Sequence, residues 1–319
     1  MHDRNACTPA ATGLSGGGKP GETEENEMSL RNYDNISPTA KLVAEMRRHS
    51  DIPFAEEIAT RMGSAELVRA MLDGEAPAPE LLSWMAPTIE ARYKSLETAL
   101  KASGIKQVVE LGSGFAFRGD AMNRTTPLRY IETDLPEMHE TRLHLRNELR
   151  RDGVLPAQEH VVFAPLNAVA PGDGDVLEQH LVPGEPVAVI HEGLFQYFTR
   201  DEKRAAALRI AGLLKRHGGV WLTPDFELSD DGSRERWTHP HFARIFSLIA
   251  RSTQSNLRDA GFSRVDEVKD FFSKLGFRVT PRAQIDGTFA LSSADRVGTT
   301  PAQLDILRRS RILWELRLD

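Results

Sequence analysis

From residue 106 onward, short apolar runs bounded by turn signals alternate with longer amphipathic stretches. Runs at 107–111, 128–132, 160–164, 187–191 and 220–224 read as strands. Apolar runs of that length, without polar alternation, suit strands covered on both faces. Strands separated in turn by helices predict an α/β fold with a mostly parallel, Rossmann-like sheet between two helical layers. The clearest helix is 200–217, where Ala206, Ile210, Leu213 and Leu214 share a face. Thr199 and Glu202 form a capping box before it, Lys215, Arg216 and His217 suit its dipole at the last turn, and Gly218 stops it.

The chain ahead of this pattern divides in two. Residues 1–34 hold a Gly-rich stretch and then Glu22-Thr23-Glu24-Glu25, too polar to fold, and read as a disordered tail in which Met28 offers a second start. Residues 35–104 contain no strand signal and read as a helical cover. Ser37-Pro38 opens a helix with Leu42, Val43 and Met46 on one face. Short helices are expected over 54–62 and 65–72, with Pro77 and Pro79 breaking the pattern. Ile89, Tyr93, Leu96 and Leu100 then recur at helical spacing until Gly104. Beyond residue 105 the rest reads as one domain. It carries an insertion at 229–256, polar and aromatic by turns with Trp237, His239, His241, Phe242 and Phe246, then a helix over 264–275, a strand at 277–280, a helix at 301–309 and a last strand over 311–319.

This layout turns 319 residues into one enlarged α/β domain rather than two average ones. A net charge of −6 without basic runs argues against a dedicated nucleic-acid binder. One cysteine, Cys7 in the tail, excludes a disulfide framework and a four-cysteine metal site. No run approaches the roughly 18–20 apolar residues of a membrane span, and the start has no secretory pattern. A cytoplasmic enzyme with a small-molecule partner is expected, with no membrane partner and an oligomeric state left open.

The chemistry concentrates at Val108-Val109-Glu110-Leu111-Gly112-Ser113-Gly114-Phe115, a strand that runs through an acid into a Gly-x-Gly turn. Gly112, Ser113 and Gly114 would bring backbone close to a ligand. Acids at Glu132 and Asp134, 20 and 22 residues after Gly112, stand where ribose hydroxyls would be bound. A dinucleotide-binding turn asks for a third glycine where Phe117 stands. S-adenosylmethionine has no phosphates to hold, and its cationic end suits an acid such as Glu110. A nicotinamide oxidoreductase and a non-catalytic nucleotide-binding module are the competing readings.

A second run, 188–198, is a strand that ends in His191-Glu192-Gly193 before a capped helix. The carboxyl ends of strands form the ligand crevice of such sheets, so Glu192 and Tyr197 are expected to face the same space as Gly112. His191 and Tyr197 are the candidate catalytic residues if the acceptor needs a base, with His239 and His241 of the insertion behind them. His239-Pro240-His241 lacks further ligands, so no metal is expected.

Together, Ser37-Pro38-Thr39-Ala40, the turn through Gly114, Glu132-Thr133-Asp134-Leu135-Pro136 and Glu192-Gly193-Leu194-Phe195-Gln196-Tyr197 resemble the leucine carboxyl methyltransferase family, which includes polyketide O-methyltransferases of the tetracenomycin type. The resemblance spans about residues 37–319 and implies a class I methyltransferase sheet whose last strand is antiparallel, with a helical cover and an insertion after the fifth strand. It implies S-adenosylmethionine as cofactor and O-methylation of a small carboxylate or hydroxyl as activity. By the same resemblance Arg92 would hold the methionine carboxylate, Asp134 rather than Glu132 the ribose, and Glu192 the methionine end. The family pattern Gly-x-Gly-x-Asp-Thr-Arg departs here to Gly112-Ser113-Gly114-Phe115-Ala116-Phe117-Arg118, which keeps only the arginine. The family's Asp-Leu beside the adenine becomes Pro165-Leu166, and Asn167 is the residue placed to supply the polar contact.

Overall fold

Strand Gln107–Leu111 (β1) has every residue buried, as a strand in a sheet covered on both faces requires. The computed structural model describes residues 37–156, 160–170, 174–226, 228–229, 245, 247 and 261–319. The expected tail over 1–34 lies outside them, as does nearly all of the expected insertion over 229–256, His239 and His241 included. The described elements belong to one unit, Asn32–Asp319.

β1 sits in a seven-stranded sheet of order β3-β2-β1-β4-β5-β7-β6. The other strands are Arg129–Asp134 (β2), Val161–Pro165 (β3), Val187–His191 (β4), Gly219–Thr223 (β5), Phe277–Ala283 (β6) and Ile312–Leu318 (β7). Pairing is parallel from β3 through β5, and β7 runs antiparallel to both β5 and β6. The order reverses between β1 and β4, and that switch point opens a crevice at the carboxyl ends of the strands.

Four helices precede the sheet, Ser37–Arg48 (α1), Ala55–Arg61 (α2), Ser64–Met71 (α3) and Pro79–Ser103 (α4), and α1 and α4 contribute to one side of that crevice. Leu42 and Met46 of α1 join Val68 of α3 and Leu81 and Trp84 of α4 in the main apolar core. Pro79, expected to break a helix, instead starts α4 at its first position, where no N–H is needed. Pro87 lies inside α4 and leaves the Ser83 carbonyl without its helical donor, and Thr299 Oγ1 donates to that oxygen at 2.9 Å.

The helices that follow the strands are Arg118–Asn123 (α5), Pro136–Arg151 (α6), Gly174–Glu178 (α7) and Arg200–His217 (α8). Val265–Ser273 (α9), Ser292–Arg296 (α10) and Pro301–Ser310 (α11) come later in the chain. The Thr199–Glu202 capping box of α8 is formed in both directions.

Candidate active site

β1 delivers the chain into the crevice at Gly112, whose φ of 60° falls in the left-handed region. A side chain there would set Cβ 3.0 Å from Leu194 Cδ1, so position 112 requires glycine on both counts. The turn is tied to the end of β2. Ser113 N donates to Thr133 O at 2.8 Å, and Gly114 N donates to Asp134 Oδ2 at 2.6 Å. Arg142 of α6 donates to the Gly114 carbonyl, and its Nη2 lies 2.7 Å from Glu132 Oε2.

A cavity of about 270 Å³ opens above this turn. Gly112, Ser113 and Gly114 line it together with Asp134. Leu166 and Asn167, just past β3, form a second wall, and Glu192 and Tyr197, just past β4, form a third. Arg92 reaches in from α4, and Thr39, Ala40, Val43 and Arg47 close the α1 side. Asn167 Oδ1 accepts from Val169 N at 3.0 Å, and Arg209 of α8 holds the Asn167 and Ala168 carbonyls at 3.2 and 3.1 Å.

The charge at the β4 end is concentrated. Glu192 Oε1 accepts from Arg47 at 2.9 Å, and Oε2 accepts from Arg118 at 2.6 Å. Arg92 Nε stands 3.8 Å from the same carboxylate. Burial alone would raise the Glu192 carboxyl, but the guanidiniums of Arg47, Arg118 and Arg92 outweigh it and hold it below the usual range. Burial pushes the Tyr197 phenol up, against hydrogen bonds to Thr39 and Gln196, so it stays protonated at neutral pH. Burial likewise raises the Asp134 carboxyl against the donors Gly114 N and Leu135 N.

Two of the expected site residues stand outside the cavity. Glu110 shares the face of Val108, which packs with Leu96 and Leu100 of α4 and Met122 of α5. Its carboxylate meets Arg118 Nε at 3.1 Å and the Tyr130 hydroxyl at 2.8 Å, so it binds protein groups rather than facing a cofactor. His191 lies on the face of Val187 and Val189, fully buried and stacked on Phe195 at 4.2 Å. Its Nδ1 is 2.8 Å from Asp225 Oδ2, and the ring does not line the cavity, so it is not placed to act as a base there.

Three residues of the arrangement escaped sequence reading. Arg47 lies 145 positions from Glu192, on a helix with no local sign of chemistry. Arg118 was legible only as the last residue of a family pattern, and it bridges Glu110 and Glu192 while stacking over Tyr93 at 4.0 Å. Asp225, in Thr223-Pro224-Asp225, looks like an ordinary turn acid. Phe117 also has a role of its own. It takes a φ of 46°, is fully buried, and lies 4.3 Å from the Arg142 guanidinium. The α5 amide of Gly119 is taken by Glu132 Oε1 at 3.3 Å, so a carboxylate of the protein stands where a pyrophosphate would have to bind. Among the described residues no group of His, Cys, Asp or Glu could hold a metal ion, and no helix is long and apolar enough to cross a membrane.

Comparison with known proteins gives the following. The model of the leucine carboxyl methyltransferase family matches residues 39–211, more than half of the chain. A Mycobacterium marinum protein assigned to the S-adenosyl-L-methionine-dependent methyltransferases is 27% identical over 179 residues, which is 51% of this chain and 57% of that protein. The chain therefore spans little more than half the length of this curated relative. A Thermobifida fusca crystal structure assigned to a methyltransferase is similar with a TM-score of 0.53 at 14% identity, covering 89% of this chain and 94% of that one. A DUF574-family protein from Streptomyces avermitilis has a TM-score of 0.51 at 13% identity, covering 88% and 97%. These two likenesses show the fold.

Proposed function

The chain belongs to the leucine carboxyl methyltransferase family, whose cofactor is S-adenosylmethionine, and on that premise we propose that it methylates an oxygen of a small-molecule acceptor. The observation that carries the proposal is the convergence of the Gly112–Gly114 turn, Asp134 and Glu192 on one cavity at the switch point of the sheet.

The residues fit the cofactor. Gly112 and Gly114 leave backbone exposed to a flat ligand, and Ser113 Oγ is buried on the cavity wall without a hydrogen-bond partner. Asp134 offers a carboxylate for ribose hydroxyls, and Leu166 and Asn167 lie where adenine would pack. Arg92 and Arg47 suit a carboxylate, and Glu192 suits an ammonium group, so the two ends of an amino acid have oppositely charged partners side by side. When bound, the cofactor supplies an electrophilic methyl group on a cationic sulfur. The chain's contribution is orientation and exclusion of water, which α1 provides from above.

A carboxylate acceptor is favoured within this class, and a polyketide-like acid is the example the family suggests. Of the two residues past β4 that line the wall, Tyr197 is held protonated and Glu192 is held below the usual carboxylate range, so neither is suited to proton removal near neutrality. A carboxylate is ionised already and needs no base. The test is transfer of labelled methyl from the cofactor to a panel of aromatic carboxylic acids and phenols. Label released as methanol by mild alkali marks a methyl ester and is the expected result. Alkali-stable label would move the assignment to hydroxyl acceptors, and bound cofactor with no transfer to either class would overturn it.

A further inference from the structure

The turn after Glu192 and the Arg92 guanidinium are both held by a carboxylate that neither lines the cavity nor belongs to any sequence motif. Asp225 follows β5 and its side chain is wholly buried. Its Oδ1 accepts from Gly193 N at 2.7 Å and from Arg92 Nη2 at 3.4 Å. Its Oδ2 accepts from Leu194 N at 2.7 Å and Phe195 N at 3.0 Å, and lies 2.8 Å from His191 Nδ1. Three successive amides converge on it, an anion-binding arrangement filled here by the protein itself. Thr223 Oγ1 completes the frame, accepting from Asp225 N at 3.0 Å and lying 3.0 Å from His191 Nδ1.

Burying a carboxylate is unfavourable unless donors surround it, and five do so here. The backbone that Asp225 ties down begins at the residue after Glu192. Gly193 has a φ of 77°, and a Cβ on it would lie 2.9 Å from Arg92 Nη2. Asp225 thus fixes Glu192 through the following turn and Arg92 by direct contact. We propose that Asp225 is the positioning residue for the amino-acid end of the cofactor: it sets the spacing between the cationic and anionic groups that grip the two charges of that end. This rests on the cofactor reading given above.

S-adenosylhomocysteine and 5′-methylthioadenosine separate positioning from general structural support. Both carry adenosine and a sulfur, and only the first carries the amino-acid portion. Titration calorimetry of the full chain with each ligand, for wild type and Asp225→Asn, reads the effect. The expected result is a loss of about 10- to 100-fold in affinity for S-adenosylhomocysteine, the size of a lost hydrogen bond to a charged group, with methylthioadenosine affinity changed less than about 2-fold. Unchanged S-adenosylhomocysteine affinity, or equal weakening of both ligands, would overturn the proposal. If Asp225→Asn does not fold, Gly193→Ala pushes on Arg92 directly and is expected to show the same selective loss, with the same overturning results. A wild-type chain that binds no S-adenosylhomocysteine would overturn the cofactor reading and this proposal together, whereas wild-type binding with an unselective variant overturns this proposal alone.

Discussion

The amide of Gly114 donates a 2.6 Å hydrogen bond to Oδ2 of Asp134, across the gap between the ends of β1 and β2. The other carboxylate oxygen accepts from Leu135 N at 2.9 Å. One side chain therefore both shapes the glycine turn and lines the cavity. Asp134→Ala removes both roles and is expected to weaken S-adenosylhomocysteine binding by roughly 10- to 100-fold, with Asp134→Asn less affected because it keeps an acceptor. Calorimetric titration of both variants checks this, and wild-type affinity in Asp134→Ala would refute the assignment.

Arg118 joins two buried carboxylates, with Nε 3.1 Å from Glu110 and Nη2 2.6 Å from Glu192, and donates to Tyr93 O at 2.8 Å. Arg118→Met leaves both acids without that partner in the interior. The expected cost is about 3–5 kcal/mol in a urea unfolding series, and Arg118→Lys should lose less because the charge remains. A loss below about 1 kcal/mol for Arg118→Met would show that the bridge contributes little.

Glu192 gives a pH signature with a definite sign. Its carboxyl is held below the usual glutamate range in the folded chain, so its ionisation favours the folded state above the unfolded value of about 4.3. That contribution is lost as pH falls from there through the lower folded value. Melting temperatures of wild type and Glu192→Gln from pH 7 to pH 3 should therefore keep a constant gap down to about 4.3, then converge. A gap that widens with acid would contradict the pairing of Glu192 with its three arginines.

The capping box on α8 is a local test of the fold. Thr199 Oγ1 accepts from Glu202 N at 3.2 Å, and Glu202 Oε2 accepts from Thr199 N at 2.6 Å. Thr199→Ala is expected to cost about 1 kcal/mol, a fall of roughly 2–4 °C by scanning calorimetry.

What could be read in the sequence was local. β1, β4 and α8 begin and end where their apolar runs and caps say, because each boundary is set by residues within a turn of it. Gly112, Gly114 and Glu192 were legible for the same reason: a strand end and a glycine turn are contiguous signals. Glu110 and His191 were placed by proximity to those signals, and strand parity sent them elsewhere, one toward α4 and α5 and the other behind Phe195. Arg47 and Asp225 reach Glu192 and the Gly193 turn from 145 and 32 positions away. Such contacts are created by the packing of α1 on α4 and of β5 against β4, and no local pattern encodes them. Pro79 illustrates the converse, since a residue read as a breaker is equally the residue that best opens a helix.

The proposed function turns on S-adenosylmethionine binding in the cavity above Gly112. Titration calorimetry of the wild-type chain with S-adenosylhomocysteine and, separately, with NAD tests it most directly. Saturable binding of S-adenosylhomocysteine, abolished or strongly weakened in Asp134→Ala, with no heat from NAD, is the expected outcome. Saturable binding of NAD with none of S-adenosylhomocysteine would contradict it.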